Sequence, residues 1–313
     1  MPLTPTNRRA ILALLGGAAA WPLAARAQLP AGLDPRLTPA RPDLAAKTLD
    51  GVVAAQRFVE GQTYEIAAAQ APVRKAPSAD AELQTEALKG EQVTVYETKD
   101  GWAWGQLIAD NYVGYLPASA LAPPGPAATH KVAALRTFVF PGPSIKLPPT
   151  ETLSFGCRLA VTHIDAEFAT TAAGGYVPAM HLAPVATLET DFVAIAERFL
   201  GTPYLWGGRS SLGIDCSGLS QLALTACGVT CPRDTDMQEK ALGHALSLPP
   251  DPAQLRRGDI IFWKGHLAIV RDAATVVHAN ASRNMAVALE PTGDAIARIR
   301  IASGDVTSVR RLG

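Results

Sequence analysis

Two stretches of this chain end alike, and that repeat limits the fold more than any other feature. Gly114-Tyr115-Leu116-Pro117-Ala118-Ser119-Ala120-Leu121 matches Gly175-Tyr176-Val177-Pro178-Ala179-Met180-His181-Leu182 in the pattern G-Y-[LV]-P-A-x-x-L. Short alternating runs precede each copy. Val93, Val95 and Tyr96, then Trp102, Trp104 and Leu107, lead to the first, with turn residues at Lys89-Gly90 and Lys99-Asp100-Gly101. Thr137 to Phe140 and Arg158 to Val161 lead to the second. Matched endings after short strands predict two copies of one small β-barrel, over 61–124 and 125–187. The proline-rich Ala122-Pro123-Pro124-Gly125-Pro126 links them. Residues 28–60, punctuated by Asp34-Pro35-Arg36-Leu37-Thr38-Pro39, read as an extended arm, and 188–313 form a third domain.

That third domain is organised around Gly213-Ile214-Asp215-Cys216-Ser217-Gly218-Leu219. Leu219, Leu222, Ala223 and Ala226 recur at helical spacing and stop at Gly228. Cys216 therefore falls in the first turn of a buried helix. Unpaired N–H groups and the helix dipole there favour thiolate. Thr190 is the expected N-cap of a preceding helix that carries Phe192 to Leu200 and ends at Gly201 and Pro203. Thr235 and Gln238 read as a capping box for a further short helix. After Arg257-Gly258-Asp259 come strand-like runs at Ile260–Trp263, Leu267–Val270, Thr275–Ala279 and Ala286–Leu289. Helices followed by strands predict an α+β domain.

A cysteine, a base and a group that orients the base make a nucleophilic hydrolase. Cys216 is the nucleophile and His266 the base. Strand alternation puts His266, Ala268 and Val270 on the site face, with Leu267 and Ile269 toward the core. His278 is the third polar residue, and Asn280 on the same strand face is its rival. Asp215 is a good N-cap for the Cys216 helix. Tyr204 either donates to an oxyanion beside the Cys216 N–H or simply packs. Arg209, Arg233 and Asp234 either line the cleft or cap and pair. Trp102 and Trp104 are either a binding face or barrel core, and His130, His163, His181 and His244 read as structural.

Together these motifs carry a resemblance. Gly201-Thr202-Pro203-Tyr204-Leu205-Trp206-Gly207-Gly208, Asp215-Cys216-Ser217-Gly218-Leu219, Arg257-Gly258-Asp259-Ile260-Ile261-Phe262 and His266-Leu267-Ala268-Ile269 resemble the NlpC family of bacterial cell-wall cysteine peptidases, with papain-like folds. Asp100-Gly101-Trp102-Ala103-Trp104 followed by Gly114-Tyr115-Leu116-Pro117 resembles bacterial SH3-like domains. The whole layout resembles γ-D-glutamyl-L-diamino acid endopeptidases that cut murein peptides. The resemblance implies hydrolysis of the γ-D-glutamyl–diamino acid bond through a thioester on Cys216, with His266 and His278 completing the triad. It also implies that Asp215 and Ser217 receive a free L-alanine amine, and that no metal or organic cofactor takes part. An amidase or acyltransferase on the same triad, and a non-catalytic wall-binding protein, are the alternative readings.

Composition narrows the partners. Lys plus Arg and Asp plus Glu each number 28, so nothing electrostatic favours nucleic acid; peptidoglycan-derived peptides are the partner that the resemblance implies. Cys157, Cys216, Cys227 and Cys231 are too few for a disulfide scaffold, and Cys227 with Cys231 matches no common zinc spacing. Arg8-Arg9, the apolar run Ala10 to Ala20 and Ala25-Arg26-Ala27 read as a twin-arginine-like signal over 1–27, cleaved before Gln28. The apolar run is too short to span a bilayer, so no transmembrane segment is expected in the mature chain, and the signal pattern predicts a periplasmic or exported protein. The alternative is a cytoplasmic chain with its true start further on.

Overall fold

The computed structural model describes residues 29–249 and 251–313; the expected signal segment, with its cleavage point, lies outside them. Among the described residues no helix is long and apolar enough to cross a membrane.

Residues 62–122 form a seven-stranded antiparallel sheet. Alternate residues such as Val93, Val95, Leu107 and Leu116 point into its own core with Ile66 and Val73. The repeated motif ends this β unit and the next in the same way. Tyr115 to Pro117 and Tyr176 to Pro178 lie in strands, each followed by a three-residue 3-10 turn. The backbones agree closely, with φ −57°, ψ 124° at Pro117 and φ −52°, ψ 122° at Pro178. The shared glycine has one physical cause in both. A Cβ on Gly114 would come 2.5 Å from Val73 Cγ1, and on Gly175 2.4 Å from Val139 Cγ1. The closing strands then pair back, Leu121 with Ile66 and Leu182 with Val132.

Residues 130–184 hold eight short strands in three small sheets. Their core is not separate. Val132, Leu153, Phe155, Cys157 and Val177 belong to one cluster with Ile195, Phe199, Leu219 and Leu222 of the third domain. Phe155 meets Phe199 edge-on at 6.0 Å.

Among its described residues the third domain has four α-helices: α1 (Phe192–Arg198), α2 (Cys216–Ala226), α3 (Thr235–Ala241) and α4 (Thr292–Ser303). They pack on a six-stranded antiparallel sheet ordered His244–Leu246, Ser308–Arg311, Ile260–Trp263, His266–Val270, Thr275–Asn280, Ala286–Pro291. Three local expectations change. Asp191, not Thr190, caps α1, accepting from Val193 and Ala194 N–H; a carboxylate also suits the helix dipole. Thr235 and Gln238 form no capping box. Asp234 holds the N-cap position without a side-chain cap, and Gln238 instead donates to the carbonyls of Ser217, Pro232 and Arg233. Ala268 and Val270 do not face the site. They pack with Ile261, Trp263 and residues of α4, while Leu267 and Ile269 pack with α1 and α2, because helices cover both faces of the sheet.

The arm is packed rather than loosely extended. Leu44, Ala45 and Ala46 are buried, and Ala45–Ala46 pairs in parallel with Phe58–Val59. Trp104 is 4% exposed, and the Arg41 guanidinium sits 4.4 Å above its ring, so Trp104 is core closed by the arm.

Candidate active site

Asp215 caps α2 by accepting from Gly218 N–H at 2.7 Å, which sets Cys216 at the first helical position. The loop before it must lie close. Gly207 has φ +73°, and a Cβ there would meet Leu83 O at 2.9 Å; a Cβ on Gly208 would meet Gly213 O at 2.6 Å. Leu83 belongs to the first β unit, so this loop is pinned between that unit and the helix start.

Cys216 is buried, with Thr235 Oγ1 3.8 Å from its sulfur. Burial, aided by the Asp215 charge, pushes the thiol up to about 11, against the Thr235 and Leu267 N–H contacts that lower it. The helix start was expected to favour thiolate. Burial of the sulfur acts in the opposite direction to that dipole.

Two histidines and a glutamate lie in line. His266 Nε2 is 3.0 Å from His278 Nδ1, and His278 Nε2 is 3.1 Å from Glu290 Oε2. Arg298 binds both oxygens of Glu290, at 2.9 and 2.6 Å, and Arg283 adds a bond of 3.1 Å. Arg298 holds Glu290 down at about 2, so it stays an acceptor. The tautomers follow from that end. His278 gives Nε2–H to Glu290, its Nδ1 accepts from His266 Nε2–H, and the lone pair of His266 falls on Nδ1. Burial lowers His266 to about 3 and His278 to about 4, so both rings are neutral. Asn280 is elsewhere engaged: its Oδ1 accepts from Ser282 and Arg283 N–H. A neutral imidazole with a free Nδ1 can take a thiol proton, and a thiolate so made can attack a carbonyl.

Asp215 is filled. Its oxygens accept from Gly207 and Gly218 N–H, from Ser217 Oγ at 3.3 Å, and from Arg233 at 3.0 and 2.7 Å. Arg233 is 1% exposed and also binds Ser217 Oγ at 2.9 Å and Thr85 Oγ1 of the first β unit at 2.7 Å. Asp215 therefore lines the cleft with its charge already matched. Arg209 is likewise a pairing residue: it is buried against Glu91 at 2.8 and 2.5 Å, and its N–H donates to Glu86.

Cys216, Ser217 and Asp215 open into a cleft of about 270 Å³. Tyr204 and Trp206 flank it from the preceding loop, and Asp234 to Asp236 from the start of α3. Glu82, Gln84 and Tyr112 of the first β unit supply another wall. Tyr112 Oη donates to Asp234 Oδ2 at 3.1 Å. Burial and the neighbouring Cys216 and Asp215 push the Tyr204 phenol up, so it remains a donor. Arg36 of the arm also lines the cleft. Sequence reading missed Glu290, Thr235, Tyr112 and Arg36. Period-two spacing puts Glu290 and His278 on one sheet face, since Glu290 pairs with Val276 and Ala288 with His278. Tyr112 and Arg36 carry no local signal.

Comparison with known proteins agrees with this architecture. Residues 201–297 match the NlpC/P60 family, and 73–121 match the bacterial dipeptidyl-peptidase SH3 domain. Dipeptidyl-peptidase 6 of Lysinibacillus sphaericus is 35% identical over 94 residues, 30% of this chain and 33% of that protein. The γ-D-glutamyl-L-lysine dipeptidyl-peptidase of Bacillus cereus is 29% identical over 206 residues, 58% of this chain and 60% of that protein. The chain thus spans 33% and 60% of these relatives' own lengths. The crystal structure of an NlpC/P60 family protein from Bacillus cereus superposes with a TM-score of 0.66 at 21% identity, covering 80% of this chain and 99% of that one.

Proposed function

Since the chain carries an NlpC/P60 domain and a bacterial SH3 domain, we propose that it is a cysteine peptidase of bacterial cell-wall peptides, cutting the γ-D-glutamyl–diamino acid bond. The carrying observation is the line from Glu290 through His278 to His266, which supports His266 Nδ1 as the base for Cys216. His266 takes the thiol proton as Cys216 Sγ attacks the carbonyl carbon. The Cys216 N–H and the Tyr204 phenol receive the oxyanion. His266 then passes its proton to the departing amine, and water splits the thioester to release the γ-D-glutamyl acid. Asp215 acts by capping α2 and, through Arg233, by fixing Ser217 at the cleft wall. Glu82, Asp234 and Asp236 keep carboxylate oxygens on one wall of the cleft, the two aspartates held by Arg36, and that wall suits the free amine of an L-alanyl end. The second β unit is read as a further SH3-like barrel, and the protein as exported on the strength of the twin-arginine-like pattern at Arg8-Arg9.

Incubation with L-Ala-γ-D-Glu-diamino acid tripeptides, followed by mass, tests this. The expected products are L-Ala-γ-D-Glu and the free diamino acid. Cys216→Ala is expected to lose at least about 10⁴-fold in rate while keeping its circular dichroism spectrum. Release of ammonia or alanine instead, or turnover by Cys216→Ala, rejects the assignment.

A further inference from the structure

The arm between residues 29 and 60 reaches the cleft through one side chain. Its backbone is anchored on the first β unit, where Val113 N–H donates to Arg36 O and Gln106 Nε2 to Leu37 O, both at 2.8 Å. Leu37 packs on that unit's core. Arg36 itself reaches across to the third domain. Nε and Nη2 bind the two oxygens of Asp34 at 3.1 and 2.7 Å. Nη1 and Nη2 fork onto Asp236, both at 2.8 Å, and Nη1 also binds Asp234 Oδ2 at 2.7 Å. All five donors of the guanidinium are used, which is the fixed planar geometry that only arginine provides. Asp34 fixes the side chain from within the arm, and the two catalytic-domain aspartates fix it from the far side.

This places a cation in a cleft otherwise lined by carboxylates. Glu82, Asp215, Asp234 and Asp236 border it, and Arg36 is the lysine or arginine among the described lining residues. Asp234 Oδ2 is shared between Arg36 and Tyr112, so arm, first β unit and third domain meet at one oxygen. We infer that the arm is a working part of the pocket and that Arg36 is a specificity-determining residue: it fixes Asp234 and Asp236 and ends the cleft at its acidic side. A peptide that begins with a free amine just before the cut fits against that wall. A peptide that continues past it, or is acylated there, meets the guanidinium. The inference rests on the peptidase reading for its substrate, but the wall itself can be tested without one.

The experiment compares the full chain with Arg36→Ala, Arg36→Lys and Asp236→Asn. Asp236 is half-exposed at 51%, so its amide variant tests the clamp where Arg36→Ala fails to fold. Two readouts are taken. The first is kcat/KM for a free and an N-acetylated L-Ala-γ-D-Glu-diamino acid peptide. Arg36→Ala is expected to lower the preference for the free peptide by roughly tenfold or more, through KM. Arg36→Lys, which keeps the charge and loses the fork, lies between, and Asp236→Asn shifts the preference in the same direction by less. The second is alkylation of Cys216 by iodoacetamide against a bulky fluorescein maleimide, followed at the Cys216 peptide by mass. Arg36→Ala is expected to raise the bulky-to-small ratio several-fold. An unchanged ratio in both Arg36→Ala and Asp236→Asn overturns the inference whatever the substrate proves to be. A wild-type chain that cuts neither peptide defeats the peptidase reading alone, and the alkylation ratio still decides the wall.

Discussion

The two β units end in the same motif with the same backbone, yet they serve the third domain by different physics. The first keeps most of its apolar core to itself, adding Leu88 to the shared cluster, and meets the third domain through polar contacts: Glu91 with Arg209, Thr85 with Arg233, Tyr112 with Asp234. The second has no polar group at the cleft and merges its core with α1 and α2. Tyr112 stands two residues before the shared glycine; the matching position in the second copy is Ala173. The same closing motif thus stands in a cleft wall in one unit and in a brace in the other, according to which side chains each unit's outer surface carries. Polar contacts are directional and fix a wall to within tenths of an ångström, whereas apolar burial stabilises without aiming anything.

The comparison breaks most visibly at Phe155. Phe155→Ala removes a buried ring from the shared cluster and its edge-on contact with Phe199, and is expected to destabilise by about 3–5 kcal/mol. No titrating group is involved, so the loss measured by denaturant unfolding should be the same at pH 4 and pH 8. A loss confined to residues 130–184, with the third domain unaffected in hydrogen exchange, would show that the two cores are separable.

Glu91→Gln tests the other kind of junction. It leaves Arg209 buried without its charge partner, at a cost of about 3 kcal/mol at neutral pH. This cost depends on pH. Burial pushes Glu91 up, but the Arg209 charge and hydrogen bonds outweigh it and leave its carboxyl below the ordinary 4.5. A carboxylate depressed in the folded state contributes stability above 4.5 and loses it as pH falls below that value. The gap between wild type and Glu91→Gln is therefore expected to shrink in acid. A gap that is constant from pH 3 to pH 8 would contradict the ion-pair account.

The smallest expected effect is at the cleft. Tyr112→Phe removes one hydrogen bond to Asp234, which keeps Arg36. It is expected to lower kcat/KM by about fivefold to tenfold, the equivalent of about 1 kcal/mol, with a melting temperature within experimental scatter of wild type. A large stability loss with unchanged kinetics would make Tyr112 a brace like the second unit.

What could be read from the residues alone was local. Apolar spacing behind Cys216 and an aspartate before it specify a capped helix start within a dozen residues, and α2 begins there. The repeat likewise specified its own strand, 3-10 turn and closing strand, because a glycine pressed against a valine and a proline-fixed φ act over a few residues. His278 against His266 follows from neighbouring strands of one sheet, though the choice over Asn280 needed the observed pairing. Packing decided the rest. Arg233 finds Asp215 across 18 positions, Arg209 finds Glu91 across 118, and Arg36 finds Asp234 across 198. Nothing in the flanking residues of such a pair marks the partner, because a charged side chain reads the same in sequence whether it ends in water or in a buried clamp. The same is true of the Cys216 thiol. Its helix position argues for thiolate, while the closure of the cleft around the sulfur, which removes the water that would solvate a charge, pushes the thiol the other way.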